Sequence, residues 1–309
     1  MTATPSSLAA APADAAPPRR PARVDTARGL RFALAAYAMW GLLPLYLKAL
    51  SHVPALEVVA HRGLWSVPVA AAAVILGGRL DALRAALTPR LVAMAALTAA
   101  LISVNWCVYV WSVSAGRTVD AALGYYINPL FSMFLGWALM GERLSRRQVA
   151  AIALAALAVL VLTVESRTVP WVGLTLAATF GFYGYFKAAL PLGASEGFLL
   201  EVLILAPAAA AILWWTGATG GGAFGGSTRD TLMLAGCGVA TAVPLLCYAT
   251  GARGLTLSTI GILQYTVPTA IFAIAVFVFG EPFGTGRAIA FPLIWAALAL
   301  YTSALWRRR

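Results

Sequence analysis

Leu123-Gly124-Tyr125-Tyr126-Ile127-Asn128-Pro129-Leu130 and Ile262-Leu263-Gln264-Tyr265-Thr266-Val267-Pro268-Thr269 share landmarks 139 residues apart, Tyr126 falling on Tyr265 and Pro129 on Pro268. The same offset carries Lys48 to Lys187, Glu57 to Glu196 and the pair Gly141-Glu142 to Gly280-Glu281, with no gap needed. One offset held over about a hundred residues reads as two copies of one unit fused head to tail.

Composition says what kind of unit this is. Of the 309 residues, 61% are hydrophobic and 11% charged, too apolar for a water-soluble domain of this length. A bilayer is crossed by roughly 20 apolar residues. Ten such spans are expected, at about 31–50, 55–77, 91–115, 119–140, 147–164, 170–190, 196–216, 231–252, 256–279 and 287–306, five in each copy. The reading is an all-α integral membrane protein. Residues 1–28, rich in Ala, Pro and Arg without an apolar run, are a disordered cytoplasmic tail, and no signal-peptide cleavage site follows the first span. Residues 29–165 form the first copy, 166–306 the second, and 307–309 a basic cytoplasmic end.

Orientation follows from the basic residues. With the N-terminus cytoplasmic, 16 of the 22 Lys and Arg fall on the inner side, five on the outer side, and Arg62 lies inside a span. The positive-inside rule places both termini in the cytoplasm. The net charge of +11 therefore needs no nucleic-acid partner. Five spans per copy is an odd number, so the second copy enters from the opposite face and the halves form an inverted pair. That is a transporter's design: two such halves exchange conformations and open a central site to one side, then to the other.

Charged and polar groups inside the spans are the candidates for mechanism, because an ionised group at the centre of a span costs roughly 2.5–3.5 kcal/mol and needs a partner or a task. Glu57 and His61, four residues apart, share a helix face, while Arg62 is turned from His61 by about 100°. Glu57 is either a solvated interface residue or part of a gate. His61, with an ordinary pKa of about 6.5, is either a proton acceptor or a histidine bonded to a neighbouring helix. Arg62 is 139 residues before Glu201, so the copies carry opposite charges at equivalent depths. Each lies roughly 10 Å inside its own membrane face, and the two are expected to meet as an intramembrane ion pair, a staple or a switch. Pro129 and Pro268 kink equivalent helices and free a carbonyl, tolerable where backbone meets protein or a wet cavity. With Tyr125, Tyr126, Asn128, Gln264 and Tyr265 they are expected to line the substrate pathway, facing Trp40, Asn105 and Tyr109. The fifth and tenth spans, nearly featureless, are expected to face lipid or a second copy in a homodimer.

These residues also resemble a known family. Trp40-Gly41, Glu57-Val58-Val59-Ala60-His61-Arg62-Gly63-Leu64-Trp65-Ser66, Asn105-Trp106 with Tyr109 and Trp111, Leu123 to Leu130, Gly141-Glu142-Arg143, and Gln264-Tyr265 with Pro268-Thr269 are similar to the RarD-type branch of the EamA, or drug/metabolite, transporter superfamily. The resemblance runs from about Gly29 to Trp306 and implies ten spans, two EamA repeats and a permease of the bacterial inner membrane. Asp120 stands where the family pattern carries Glu, and Lys187-Ala188 where it carries two basic residues.

No other chemistry is legible. Gly193-Ala194-Ser195-Glu196-Gly197 matches a nucleophile elbow, but it joins two spans and has no histidine downstream. No phosphate-binding loop and no HExxH pair is present, and Cys107, Cys237 and Cys247 lie within spans without metal-ligand spacing, so neither metal nor cofactor is expected. The function read from the chain is a permease of small organic metabolites or drugs, not an enzyme, working by alternating access. The alternative is an intramembrane lipid-modifying enzyme built on Glu57, His61 and Arg62. Expected partners are a small-molecule substrate and membrane lipids.

Overall fold

The computed structural model describes residues 26–141 and 143–306. The N-terminal tail up to residue 25, Glu142 and the basic end at 307–309 lie outside the described residues. The described chain is helical, without strands: α1 (Ala27–Ala49), α2 (Ala55–Leu76), the short α3 (Leu80–Ala86), α4 (Pro89–Ser114), α5 (Thr118–Met140), α6 (Arg146–Ser166), α7 (Trp171–Ala188), α8 (Ala194–Ala218), α9 (Thr228–Ala252), α10 (Leu257–Leu263), α11 (Thr266–Ala273), a π-helical segment at Ile274–Val278, and α12 (Thr285–Trp306). Among the described residues, eight stretches are long and apolar enough to cross a membrane, counting Thr259–Val278 as one.

Local sequence sets where the helices start. Thr26, Thr88, Ser227 and Thr256 each accept a backbone N–H from the first turn of the helix they precede, and Ser145 with Gln148 forms a reciprocal capping box on α6. Glu281 does the same over a long range: its two carboxylate oxygens accept from Thr118 N at 2.7 Å and Val119 N at 2.8 Å at the start of α5. The equivalent glycines Gly141 and Gly280 both have φ of 67°, which only glycine adopts without strain, so each ends its helix in the same way.

The two equivalent prolines act differently. α5 runs unbroken through Pro129, whereas the chain at Pro268 is divided into α10 and α11, with Gln264 and Tyr265 at the break. Pro268 has no N–H to give the Gln264 carbonyl, which accepts instead from Val267 N at 3.3 Å. The single span expected at 256–279 is thus three helical pieces.

Packing brings helices from the two halves of the chain together. α2 lies along α8 and α6 along α12, while α5 packs on α7, α1 on α11, and α9 on both α1 and α2. Small residues permit close approach where no hydrophobic drive exists between helices in lipid. A Cβ at Gly124 would sit 2.6 Å from the Gly173 carbonyl oxygen, so the α5–α7 seam requires glycine. Outward faces are apolar, with Leu76, Trp214 and Phe277 more than 70% exposed. In water such surfaces would be a liability, and in a bilayer they meet lipid.

Candidate functional site

Arg62 occupies the middle of the polar interior. It is only 4% exposed, its Nε donates to Thr241 Oγ1 of α9 at 3.1 Å, and its guanidinium lies 4.8 Å from the centre of the Trp106 ring of α4. Thr241 gives its own proton to the Cys237 carbonyl at 2.8 Å and therefore presents a lone pair to the arginine. Tyr109 and Tyr125 share an apolar cluster with Trp106, and their rings meet edge to face at 5.5 Å. Tyr125 OH donates to Asn105 Oδ1 at 3.3 Å, and Asn105 Nδ2 donates to the Leu176 carbonyl at 3.1 Å and to Thr179 Oγ1 at 2.9 Å. The expected residues Asn105, Tyr109 and Tyr125 are thus brought together around Arg62.

Glu57 and His61 lie one face away and hold a loop. Glu57 is 1% exposed, and its Oε1 accepts from Ala223 N at 2.8 Å and Phe224 N at 3.4 Å in the connection between α8 and α9. His61 stacks on Phe224 with ring centres 4.8 Å apart, while its Nδ1 accepts from Trp65 Nε1 at 3.0 Å. The opposite end has a counterpart. Glu196, the residue equivalent to Glu57, accepts from Arg79 Nη1 at 3.0 Å in the connection that follows α2. Each acid therefore ties down the connection that follows the other acid's helix. Ser195, read in sequence as part of a chance nucleophile pattern, donates to Glu196 Oε2 at 2.9 Å.

Glu201 corrects the expected ion pair. It forms an ion pair with Lys187 Nζ at 2.7 Å, and it accepts from Thr98 Oγ1 at 2.7 Å and Tyr183 OH at 3.3 Å. Arg62, committed to Thr241 and Trp106, does not reach it. The reason is depth. α2 and α8 run alongside each other, but Arg62 and Glu201 each sit near the start of its own helix, leaving about ten residues of rise, roughly 15 Å, between them. No arginine side chain bridges that.

The remaining expected pathway residues are spread over several places. Tyr126 shares a hydrogen bond with Thr269 of α11 at 2.8 Å and packs edge-on against Phe291 of α12. Tyr265 packs on the same apolar cluster, and Pro268 is buried. Asn128 lies on α5 facing α7, where its Oδ1 approaches Gly181, and Pro129 is buried in the same helix. Trp40 groups with Tyr37 and Tyr248 between α1 and α9, at ring separations of 6.0 and 5.7 Å. Sequence reading missed Thr241, Thr98 and Tyr183, ordinary polar residues in apolar helices that carry no pattern, and also Arg79, whose pairing with Glu196 is legible only once α2 and α8 are side by side.

The profile of the EamA-like transporter family matches residues 27–164. An uncharacterised transporter of Vibrio cholerae is 41% identical over 284 residues, covering 91% of this chain and 94% of the relative. The protein RarD of Streptomyces exfoliatus is 40% identical over 276 residues, covering 89% of this chain and 88% of the relative. This chain belongs to the RarD-type branch of the EamA family. A crystal structure 21% identical in sequence superposes with a TM-score of 0.59 over 91% of this chain and 99% of its own, a likeness of fold alone. The EamA assignment agrees with the apolar helices: the protein is a multi-pass membrane protein of the drug/metabolite transporter family.

Proposed function

We propose that this EamA-family protein is a secondary transporter of small organic solutes across the bacterial inner membrane, working by alternating access between two inverted five-helix repeats at residues 29–165 and 166–306. The exchange of acids carries the reading: Glu57 of α2 holds the connection after α8, and Glu196 of α8 holds the connection after α2. Inverted repeats generate such reciprocal contacts at opposite faces. In this reading α5 and α7, of 23 and 18 residues, complete a set of ten spans, and both termini are cytoplasmic by the balance of basic residues. The contacts α2–α8, α6–α12 and α5–α11 each join a helix to its own equivalent, which supports a pseudo-twofold axis running among them.

The two acid contacts then act as latches. The Glu57 latch closes the outer end and the Glu196 latch the inner end, and opening one side requires releasing one of them. Glu57 and His61 bind a loop instead of converging on a shared reacting atom, which favours transport over lipid chemistry. The test is untargeted mass spectrometry of cells and medium for cells expressing the protein, cells lacking it, and cells expressing Glu57→Ala at matched membrane levels. A solute redistributed, chemically unchanged, by the wild type is the expected result. Loss of charge-assisted hydrogen bonds worth about 1.5–3 kcal/mol is expected to shift the latch equilibrium, and with it the flux, at least about tenfold in Glu57→Ala. A new chemical product in place of redistribution would refute transport.

A further inference from the structure

Arg62 is a buried cation with no acid. The ion pairs of the described residues engage Asp81, Asp120, Glu196, Glu201 and Asp230, and none of these carboxylates takes Arg62. Its partners are a neutral hydroxyl and the face of a tryptophan, and its Nη1 has no hydrogen-bond partner. In the cluster against which Trp106 packs, the hydroxyl of Tyr109, a residue 3% exposed, is also without a partner. A guanidinium in a membrane interior is expensive, and buried polar groups are normally satisfied. Here unmatched donors of two helices, α2 and α4, border the one cluster of Trp106, Tyr109 and Tyr125, while the neighbouring Asn105, Tyr125 and Thr179 are bonded to one another.

We infer that Arg62 and Tyr109 form the substrate's anion site, and that the transported solute is a small organic monocarboxylate with an apolar or aromatic body. The planar fork of arginine suits a carboxylate, and the phenol supplies a further donor to the same oxygens. A single negative charge matches the one guanidinium, whose described partners, the Thr241 hydroxyl and the Trp106 ring, are neutral. Trp106, Tyr109 and Tyr125 supply the apolar walls. α2, α4 and α5 come from the first half of the chain and α9, bearing Thr241, from the second, so the site lies where the halves meet, as a site exposed alternately to both sides must. This identification rests on the transport reading above.

The test adds two variants to the comparison of cells and media and sorts every redistributed solute by its charge at neutral pH. Arg62→Met replaces the cation by an apolar side chain of similar length, a change that buried charges often tolerate without loss of fold. Tyr109→Phe removes a hydroxyl that has no partner and so leaves folding intact. Both are checked for a monodisperse size-exclusion profile. The expected result is that the redistributed solutes are monocarboxylates, that Tyr109→Phe lowers their flux about tenfold, and that a folded Arg62→Met abolishes it. If Arg62→Met does not fold, Tyr109→Phe decides. Neutral or cationic solutes, or monocarboxylates carried by Tyr109→Phe at the wild-type rate, overturn the anion site and leave transport standing. The absence of any solute that follows the protein overturns the transport reading and this inference together.

Discussion

Glu201→Ala is expected to destabilise the protein by about 3–5 kcal/mol, because it strands the Lys187 ammonium inside the helix bundle. Glu201 is 1% exposed and is surrounded by Lys187, Thr98 and Tyr183 at 2.7, 2.7 and 3.3 Å. Removing the carboxylate also leaves the Tyr183 hydroxyl without its acceptor, while Thr98 keeps the Ala95 carbonyl at 3.0 Å. The partner of a broken pair sets the cost, so the double substitution Lys187→Met with Glu201→Met is expected to recover most of the loss, since apolar replacements of buried pairs are commonly neutral or better. Unfolding midpoints of the purified variants in one detergent measure this. A loss of less than about 1 kcal/mol in Glu201→Ala would make the contact equivalent to a surface pair and refute its structural role.

Gly238→Val is expected to prevent folding or to cost upward of about 3 kcal/mol. A Cβ at this position overlaps the backbone carbonyl and the Cβ of Trp65, so the clash is with main chain and no rotamer relieves it. The seam it wedges apart is that of α2 and α9, across which Ser66 Oγ reaches the Gly238 carbonyl at 3.4 Å and Arg62 reaches Thr241 at 3.1 Å. Gly63→Ala in the same α2 helix provides the control. Its added Cβ meets nothing within 4 Å, so stability is expected to stay level or to rise by up to about 1 kcal/mol from helix propensity. Yield of monodisperse protein and the unfolding midpoint separate the two. A well-folded Gly238→Val would contradict the close approach of α2 and α9.

What the sequence could convey depended on which signals survive in lipid. Helix ends were readable because turns and caps are local: most expected spans end within a few residues of the observed helices, and Gly141 and Gly280 recur with the same positive φ. Helix faces were not. In water, a 3.6-residue apolar stripe marks the side facing the core, but a membrane helix is apolar on its lipid side as well, so the stripe is lost. This is why Trp40 was expected to face Asn105 and Tyr109 yet stands with Tyr37 and Tyr248. Depth misled in another way. In the proposed inverted arrangement the common offset of Arg62 and Glu201 puts them in opposite halves of the membrane, and equivalence under inversion separates residues unless they lie near the axis. Glu57 and Glu196 obey the same rule, and there it yields two latches at opposite ends in place of one pair.

The reciprocal movement of those latches is the central claim, and spin-label distances measure it most directly. With Cys107, Cys237 and Cys247 replaced by serine, one label pair at Leu56→Cys and Thr228→Cys reports the outer end, and another at Asp81→Cys and Ala194→Cys reports the inner end. In lipid nanodiscs each pair is expected to show two populations. Glu57→Ala should enrich the long outer distance together with the short inner one, and Glu196→Ala should do the reverse. A single distance at each end, unmoved by either substitution, would contradict alternating access through these latches.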